Sequence, residues 1–363
     1  MGFVCGIVGL PNAGKSTIFN ALSSARAQVA SYPFCTIQPN QGIVSVPDRR
    51  LEKLAQMLKP EKVTPTILEF WDIAGLVKGA SQGEGLGNQF LGHIRNVDAL
   101  AHVVRCFEAE SVTHVYACLD PRRDMEIVQT ELILADLQTV EKRLSKASHQ
   151  AKVGDKKSAS EVPLLRTLQD RLGKGLPAAG LTFNEEGQRV FRSLELLTAK
   201  PVFFVANASE KELKERRWIS QVEEVAAREK APVVIICGDL EAEMAELSAE
   251  EREEFLKELG LAEPALNQLI RAGYGLLNLI TFYTTVGPEL RAWTVPRGTH
   301  VPQAAGKIHT DMERGFIRAE VIAFQDFVAS GSMALAKEKG ILRVEGKDYI
   351  VQDGDILYIR FHV

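Results

Sequence analysis

Apolar runs and helix-like segments alternate over the first third of the chain. Residues 3–8 read as a short buried strand, 15–22 open a helix, and 42–46, 67–71 and 99–105 are further strands. Such alternation predicts a parallel sheet covered by helices. From 124 to 197 the period changes. Thr130, Ile133, Leu137, Val140, Leu144 and Ala147 recur at spacings of three and four, the seam of a two-stranded coiled coil. A polar, glycine-containing stretch at 152–161 breaks that seam. Leu165, Leu168 and Leu172, then Val190, Leu194 and Leu197, supply the returning helices. The pattern predicts an antiparallel helical arm inserted between strands of the sheet domain. Strands resume at 201–206 and 232–237, and the nine acidic and two basic residues of 239–258 mark a solvated helical face. After Gly275 come short alternating strands at 279–283, 291–295, 316–321, 349–351 and 356–361. Asp353-Gly354 forms a hairpin turn before the last, and a helix lies near 303–308. The expected organisation is an α/β domain formed by residues 1–123 and 198–277, a helical arm at 124–197, and a small mixed α/β domain at 278–363.

Composition narrows the function classes. A net charge of −4 excludes polyanion binding by bulk charge, so any nucleic-acid contact must be a local patch. The five cysteines are scattered, odd in number and without metal-ligand spacing, which fits reduced thiols in a reducing compartment. The N-terminus reads as a strand rather than a charged segment followed by an apolar one, and no apolar run reaches the roughly 18 residues of a bilayer span. A cytoplasmic protein without a membrane partner is expected.

The strongest chemical signal is Gly9-Leu-Pro-Asn12-Ala13-Gly14-Lys15-Ser16-Thr17, which follows an apolar strand and opens a helix. In that setting Gly-x-x-x-x-Gly-Lys-Ser is a phosphate-binding loop. Its glycines let backbone N–H groups approach phosphate oxygens, and the helix dipole adds to the attraction. Lys15 is expected to reach the β- and γ-phosphates and the Ser16 hydroxyl to ligate Mg²⁺. Asp72 ends a later strand, where its carboxylate can hold the magnesium shell. Gly75, three residues on, offers an N–H to the γ-phosphate. Thr36, between the first helix and the second strand, is placed to close over the metal. The glycine-rich run from Gly79 to Gly87 suits a switch that orders with nucleotide.

Two positions depart from a GTPase. Leu76 stands where many GTPases place a water-orienting Gln, so intrinsic turnover should be slow or another group must act. His114 is the first candidate, followed by Gln82 and His93. The second departure is Asn207-Ala208-Ser209-Glu210, at the end of the 201–206 strand, where a GTPase carries Asn-Lys-x-Asp. Guanine offers adjacent donors at N1 and N2 that an Asp carboxylate accepts together; adenine offers an acceptor at N1 and a donor at N6. Glu is longer than Asp by about 1.5 Å, and Ala208 removes the lysine stem. Asn207 can bond N7 of either purine, or the loop, and the backbone at Cys237-Gly238 can serve either base. The chemistry favours ATP. A Glu210 that still accepts from guanine would leave a GTPase.

The segment from Gly6 to Asn20, residues 32–39 and the run from Asp72 to Arg95 together resemble the Obg-related P-loop proteins, and most closely their YchF-type (Obg-like) ATPase branch. The likeness covers essentially the whole chain. Residues 304–311 and Ala319-Glu320 resemble a TGS domain, a β-grasp module. Members of that branch are similar in having Asn-x-x-Glu, and the resemblance implies a P-loop ATPase that associates with ribosomes or the large ribosomal subunit. It also implies that Asn12 helps to hold a K⁺ beside the phosphates, as in other potassium-stimulated P-loop proteins. Residues 142–174 carry nine Lys or Arg against three acids and no aromatic residue. With the resemblance they become a candidate rRNA contact through phosphates; alone they read equally well as a solubilised coiled-coil tip.

Overall fold

Residues Val4–Val8 (β1) form a strand whose last four positions are buried, and it feeds the loop leading to helix α1 (Lys15–Ser24). The computed structural model describes residues 3–24, 40–73, 86–109, 114–116 and 118–362. In chain order there follow β2 (Gln41–Ser45), α2 (Arg49–Leu58), β3 (Lys62–Thr64), β4 (Ile67–Asp72), α3 (Leu86–Arg95) and β5 (Ala99–Cys106). The arm is α4 (Pro121–Lys152), α5 (Lys156–Gly173) and α6 (Glu185–Ser193). Then come β6 (Val202–Ala208), α7 (Glu210–Glu215), α8 (Ile219–Glu229), β7 (Val233–Ile236), α9 (Gly238–Glu246), α10 (Ala249–Glu258) and α11 (Ala265–Leu276).

The first sheet has the order β2-β4-β1-β5-β6-β7, and β4, β1, β5, β6 and β7 pair in parallel. All eight residues of β5 are buried, as a strand covered on both faces requires. The parallel order brings the carboxyl ends of β1, β4, β6 and β7 to one edge, where ligands of open α/β sheets bind. The phosphate loop, Asp72, Asn207 and Cys237 all lie there.

In the arm, Ile133, Val140 and Ala147 of α4 pack with Leu165, Leu168 and Leu172 of α5, and Leu137 and Leu144 are partly buried beside them. Arg143 grips Glu161 across the pair at 2.9 and 2.8 Å. Thr130, expected in the seam, is instead exposed, with its hydroxyl donating to the Glu126 carbonyl at 2.7 Å. The expected break at 152–161 narrows to 153–155, because Asp155 caps α5 through the N–H groups of Lys157 and Ser158. At the base of the arm the buried Asp136 carboxylate accepts from Leu197 N and Thr198 N, each at 2.8 Å, and from Thr198 Oγ1 at 2.6 Å.

A second compact unit comprises residues 45–68 and 274–363. Its strands are β8 (Leu279–Val286), β9 (Glu289–Pro296), β10 (Phe316–Ala323), β11 (Arg343–Glu345) and β12 (Asp355–Phe361), with α12 (Val301–Ile308) packed beneath. The order is β11-β10-β12-β8-β9-β3, with β12 parallel to β8 and antiparallel to β10, a β-grasp arrangement. Two boundaries differ from expectation. Residues 349–351 form only an isolated bridge from Ile350 to His300, since Tyr349 Oη and Gln352 N both turn to the buried Asp355 carboxylate at 2.7 and 2.9 Å. Residues 45–68, expected with the first domain, pack into this second unit. There β3 pairs in parallel with β9, Leu51 and Leu54 are buried beside Tyr283 and Leu290, and Arg50 reaches Asp353 at 2.9 and 3.2 Å.

Candidate functional site

The phosphate loop owes its path to three residues with positive φ: Gly9 (151°), Asn12 (62°) and Gly14 (89°). Two of them have no room for a side chain. A Cβ on Gly9 would strike the Val103 carbonyl, and one on Gly14 would strike the Asn207 amide. The glycines of the motif thus answer to neighbouring strands as well as to a ligand.

Lys15 is 7% exposed, and its Nζ donates to the Leu10 carbonyl at 2.8 Å. Burial brings its pKa down to about 8, against the opposing pull of Asp72. The ammonium therefore waits inside the loop on one backbone acceptor. Ser16 Oγ donates to Asp72 Oδ2 at 3.0 Å. Burial pushes the Asp72 carboxyl up, while Ser16 and Lys15 hold it down. Its Oδ1 is buried without a hydrogen-bond partner. An orphaned carboxylate oxygen beside a hydroxyl, at the mouth of a phosphate loop, fits a hard divalent cation or its water shell. Among the described residues no group of three or more His, Cys, Asp or Glu can hold a metal, so a cation here would complete its shell with water and phosphate oxygens.

Asn207 does not reach for a base in this structure. Its Nδ2 donates to the Ala13 carbonyl at 3.0 Å, and its Oδ1 accepts from Gly238 N at 3.1 Å. The side chain is a strut tying the phosphate loop to the turn after β7. That removes the Gly238 N–H from the groups expected to serve the purine. A Cβ on Gly238 would also come within 3.5 Å of Thr17 Cγ2, which places Thr17 against the same turn. Cys237 is buried, and burial raises its thiol pKa. Ala208 is buried with Val104, Cys106 and Phe204, so this position faces the core. Glu210 is exposed at the first position of α7, behind the capping Ser209. Of the altered base-reading motif, Glu210 is the group left facing outward.

His114 lies near the phosphate loop, beside a small cavity shared with Leu10, Pro11, Ala13, His102, Arg105 and Asp124. Its Nε2 bonds Asp124 Oδ2 at 2.8 Å, and its Nδ1 accepts from Tyr116 N at 3.1 Å. His102 on β5 is buried, and burial together with Lys15 holds its pKa down to about 3. His93, the remaining histidine candidate, is exposed on α3. Thr36, Gly75, Leu76 and Gln82 lie outside the described residues, as does most of the glycine-rich run. Sequence reasoning missed Asp124 and left open whether Asn207 bonds the base or the loop, which the structure resolves as the strut. The first pairing, His114 with Asp124, joins residues only ten positions apart across a loop and a helix start. The second joins segments far apart in the chain, and neither belongs to a motif with fixed spacing.

On the arm, Lys142, Lys146, Lys152, Lys156, Lys157 and Arg166 are exposed, whereas Arg143, Arg171 and Lys174 are engaged by Glu161, backbone carbonyls and Asp170. The available positive charge is thus concentrated on the distal half of the arm. Among the described residues no helix is long and apolar enough to cross a membrane.

Residues 4–136 match a family model described as 50S ribosome-binding GTPase, and 279–362 match YchF-GTPase_C, described as a protein of unknown function (DUF933). The chain is 51% identical to the Ribosome-binding ATPase YchF of Bacillus subtilis (strain 168) and 51% identical to that of Escherichia coli O157:H7. Each of these matches covers 100% of both chains. A solved structure described as the Schizosaccharomyces pombe YchF GTPase superposes with a TM-score of 0.89 at 34% identity, covering 99% of this chain and 98% of that one. A GTP binding protein from Pyrococcus horikoshii OT3 shares the fold alone, with a TM-score of 0.62 at 20% identity. A phosphate loop braced by an asparagine strut, an inserted arm, a β-grasp unit and full-length identity of about one half agree on one assignment: the chain belongs to the YchF family.

Proposed function

We propose that this protein is a Mg²⁺-dependent P-loop ATPase that turns over slowly and associates with ribosomes according to the nucleotide it holds. The observation that carries the choice of purine is the engagement of Asn207. With its amide committed to Ala13 and Gly238, base choice falls to Glu210 and the nearby backbone. A site that pairs one base edge rejects another only through groups it leaves unpaired. The names of the bacterial relatives, ribosome-binding ATPases, support the same reading. The second reading is a GTPase, favoured by the acceptor character of the Glu210 carboxylate and by the name of the fission-yeast neighbour.

In the proposed mechanism Lys15 leaves the Leu10 carbonyl for the β- and γ-phosphates, and backbone N–H groups of residues 13–17 cradle them. Ser16, Thr36 and Asp72 would hold Mg²⁺, which when bound neutralises charge on the phosphate oxygens. Asn12 would help to hold K⁺, and the Gly75 N–H would meet the γ-phosphate. Leu76 cannot orient a water, so His114 is assigned that task, after release from its present partners. The exposed lysines of the arm would meet rRNA phosphates of the large ribosomal subunit. All of this is work for a cytoplasmic protein.

Competition of ATP and GTP against a fluorescent diphosphate tests the reading, run in K⁺ and in Na⁺ buffers with turnover measured alongside. ATP should win in the wild type. Glu210→Asp should shift the preference towards GTP by about tenfold, the scale of one charge-assisted pair. A wild-type preference for GTP would sink the ATPase reading, and equal turnover in both salts would remove the K⁺ site.

A further inference from the structure

A neutral imidazole has one ring N–H to donate and one lone pair to accept with. In His114 both are in use. The Tyr116 N–H occupies Nδ1, which assigns the proton to Nε2, and Nε2–H donates to Asp124. The pair is enclosed, with side chains 10% and 6% exposed. Asp124 is itself held: its Oδ1 takes Arg123 Nε at 3.3 Å and Nη2 at 3.0 Å. The Arg123 guanidinium lies 5.1 Å over the Tyr116 ring, which in turn is tilted against the His114 ring. Asp124 also belongs to the first turn of α4, whose capping residue Asp120 accepts from Arg123 N at 3.1 Å. The carboxylate that grips the imidazole is therefore part of the helix that carries the arm.

We propose that Asp124 is a latch on hydrolysis. It holds His114 with no ring nitrogen left for a water, and displacement of the first turn of α4 is what releases the ring. This rests on the reading of His114 as the water-orienting group. The arm is well suited to work the latch. Helix α4 runs unbroken for 32 residues from Pro121 to Lys152, with Asp124 in its first turn near the phosphate loop and exposed lysines towards its far end. A continuous helix of that length is a rod of about 48 Å. A contact made distally can thus tilt or shift the turn that holds the histidine. Two discrete positions of a packed helix suffice for a switch. Basal turnover is then slow for a second reason besides Leu76: the replacement group is present, close to the phosphate loop, and tied down.

Steady-state ATP turnover of the full-length protein tests this in the wild type, Asp124→Ala, Asp124→Asn, His114→Ala and the Asp124→Ala/His114→Ala double variant. Binding of a fluorescent diphosphate monitors folding. The latch requires Asp124→Ala to raise kcat by about tenfold at unchanged KM, the population shift that one hydrogen bond to a charged group maintains. Asp124→Asn keeps an acceptor without the charge and should give a smaller rise. The gain should vanish in the double variant, and His114→Ala alone should be slower than the wild type. If His114→Ala is slower but Asp124→Ala is no faster than the wild type, Asp124 is not a latch and the catalytic reading of His114 survives. If His114→Ala turns over like the wild type, the catalytic reading fails and the latch falls with it. A gain that persists in the double variant also overturns the proposal, because it does not pass through the histidine. Should Asp124→Ala lose diphosphate binding, Asp124→Asn decides, and anything short of a rise in kcat counts against the latch.

Discussion

Burial of the Lys15 ammonium on the Leu10 carbonyl brings its pKa down to about 8 from the usual 10.5. Between those values the unfolded chain keeps the proton and the folded chain gives it up. Stability from this group therefore rises as pH climbs from about 8 to 10.5, and the cost of holding the charge is greatest below 8. A bound triphosphate reverses the balance by placing negative charge where the ammonium can reach it. ATP binding at pH 8.5 should then take up as much as about three-quarters of a proton, and little at pH 7. Calorimetry in buffers of different ionisation enthalpy reads this directly, with Lys15→Met as the control that abolishes the uptake. Binding enthalpies independent of buffer at pH 8.5 would show that Lys15 is already charged in the free protein. At this scale the sequence is informative about residue types and poor about their partners. Gly9, Gly14, Lys15, Ser16 and Asp72 could be placed together from sequence because the phosphate loop and the strand that ends in Asp72 have fixed local spacing, and Ser16 does meet Asp72. Asn207 was legible as a residue that bonds either the purine or the loop, but the choice between them, and Ala13 as the acceptor 194 residues away in the chain, was not.

Periodicity did the same for elements. The arm could be read from spacings of three and four, and every seam residue of α4 apart from Thr130 lies in its interior. What no period reports is how the arm is seated. Asp136, buried in the middle of α4, accepts three hydrogen bonds from Leu197 and Thr198, and burial pushes its carboxyl up against their pull. Its spacing shows only a polar residue in a helix. The distal lysines follow from the sequence more directly, because exposure at a helix turn is a local property. Exchanging Lys152, Lys156 and Lys157 together for Gln should weaken ribosome co-sedimentation and flatten its salt dependence. The log–log slope should fall by about 0.7–0.9 for each rRNA phosphate that the lysines no longer neutralise. ATP turnover of the free protein should not change, since Lys152 ends α4 and Lys156 and Lys157 open α5, whereas Asp124 lies in the first turn of α4. Undiminished co-sedimentation at every salt concentration would remove the arm tip as a contact and direct attention to the β-grasp unit.

For the molecule as a whole, the least legible feature is that the second unit is built from two pieces of chain. Residues 45–68 are separated from 274–363 by more than two hundred positions, yet they supply the edge strand β3 and the helix α2. Leu51 and Leu54 are buried against Tyr283, Leu290 and Phe327. Asp48 accepts from the Tyr283 hydroxyl at 2.5 Å, Arg50 bridges to Asp353, and Thr64 donates to Glu289 at 2.5 Å. Pairing across such a separation leaves no mark on local hydrophobic pattern, which is why these residues read as a plain continuation of the first domain. The consequence is a domain whose apparent sequence boundary is not its folding boundary. A fragment of residues 274–363 alone would expose the faces that Leu51 and Leu54 cover, and burying two leucines is worth about 3–6 kcal/mol. That is comparable with the whole stability of a domain of this size. The fragment should therefore melt broadly and show poorly dispersed amide resonances. Adding a peptide of residues 45–68 should restore dispersion and a cooperative transition, and the same peptide carrying Leu51→Asp and Leu54→Asp should not. A sharp, peptide-independent transition for the 274–363 fragment would show that the C-terminal strands and α12 suffice, and that α2 and β3 only decorate them.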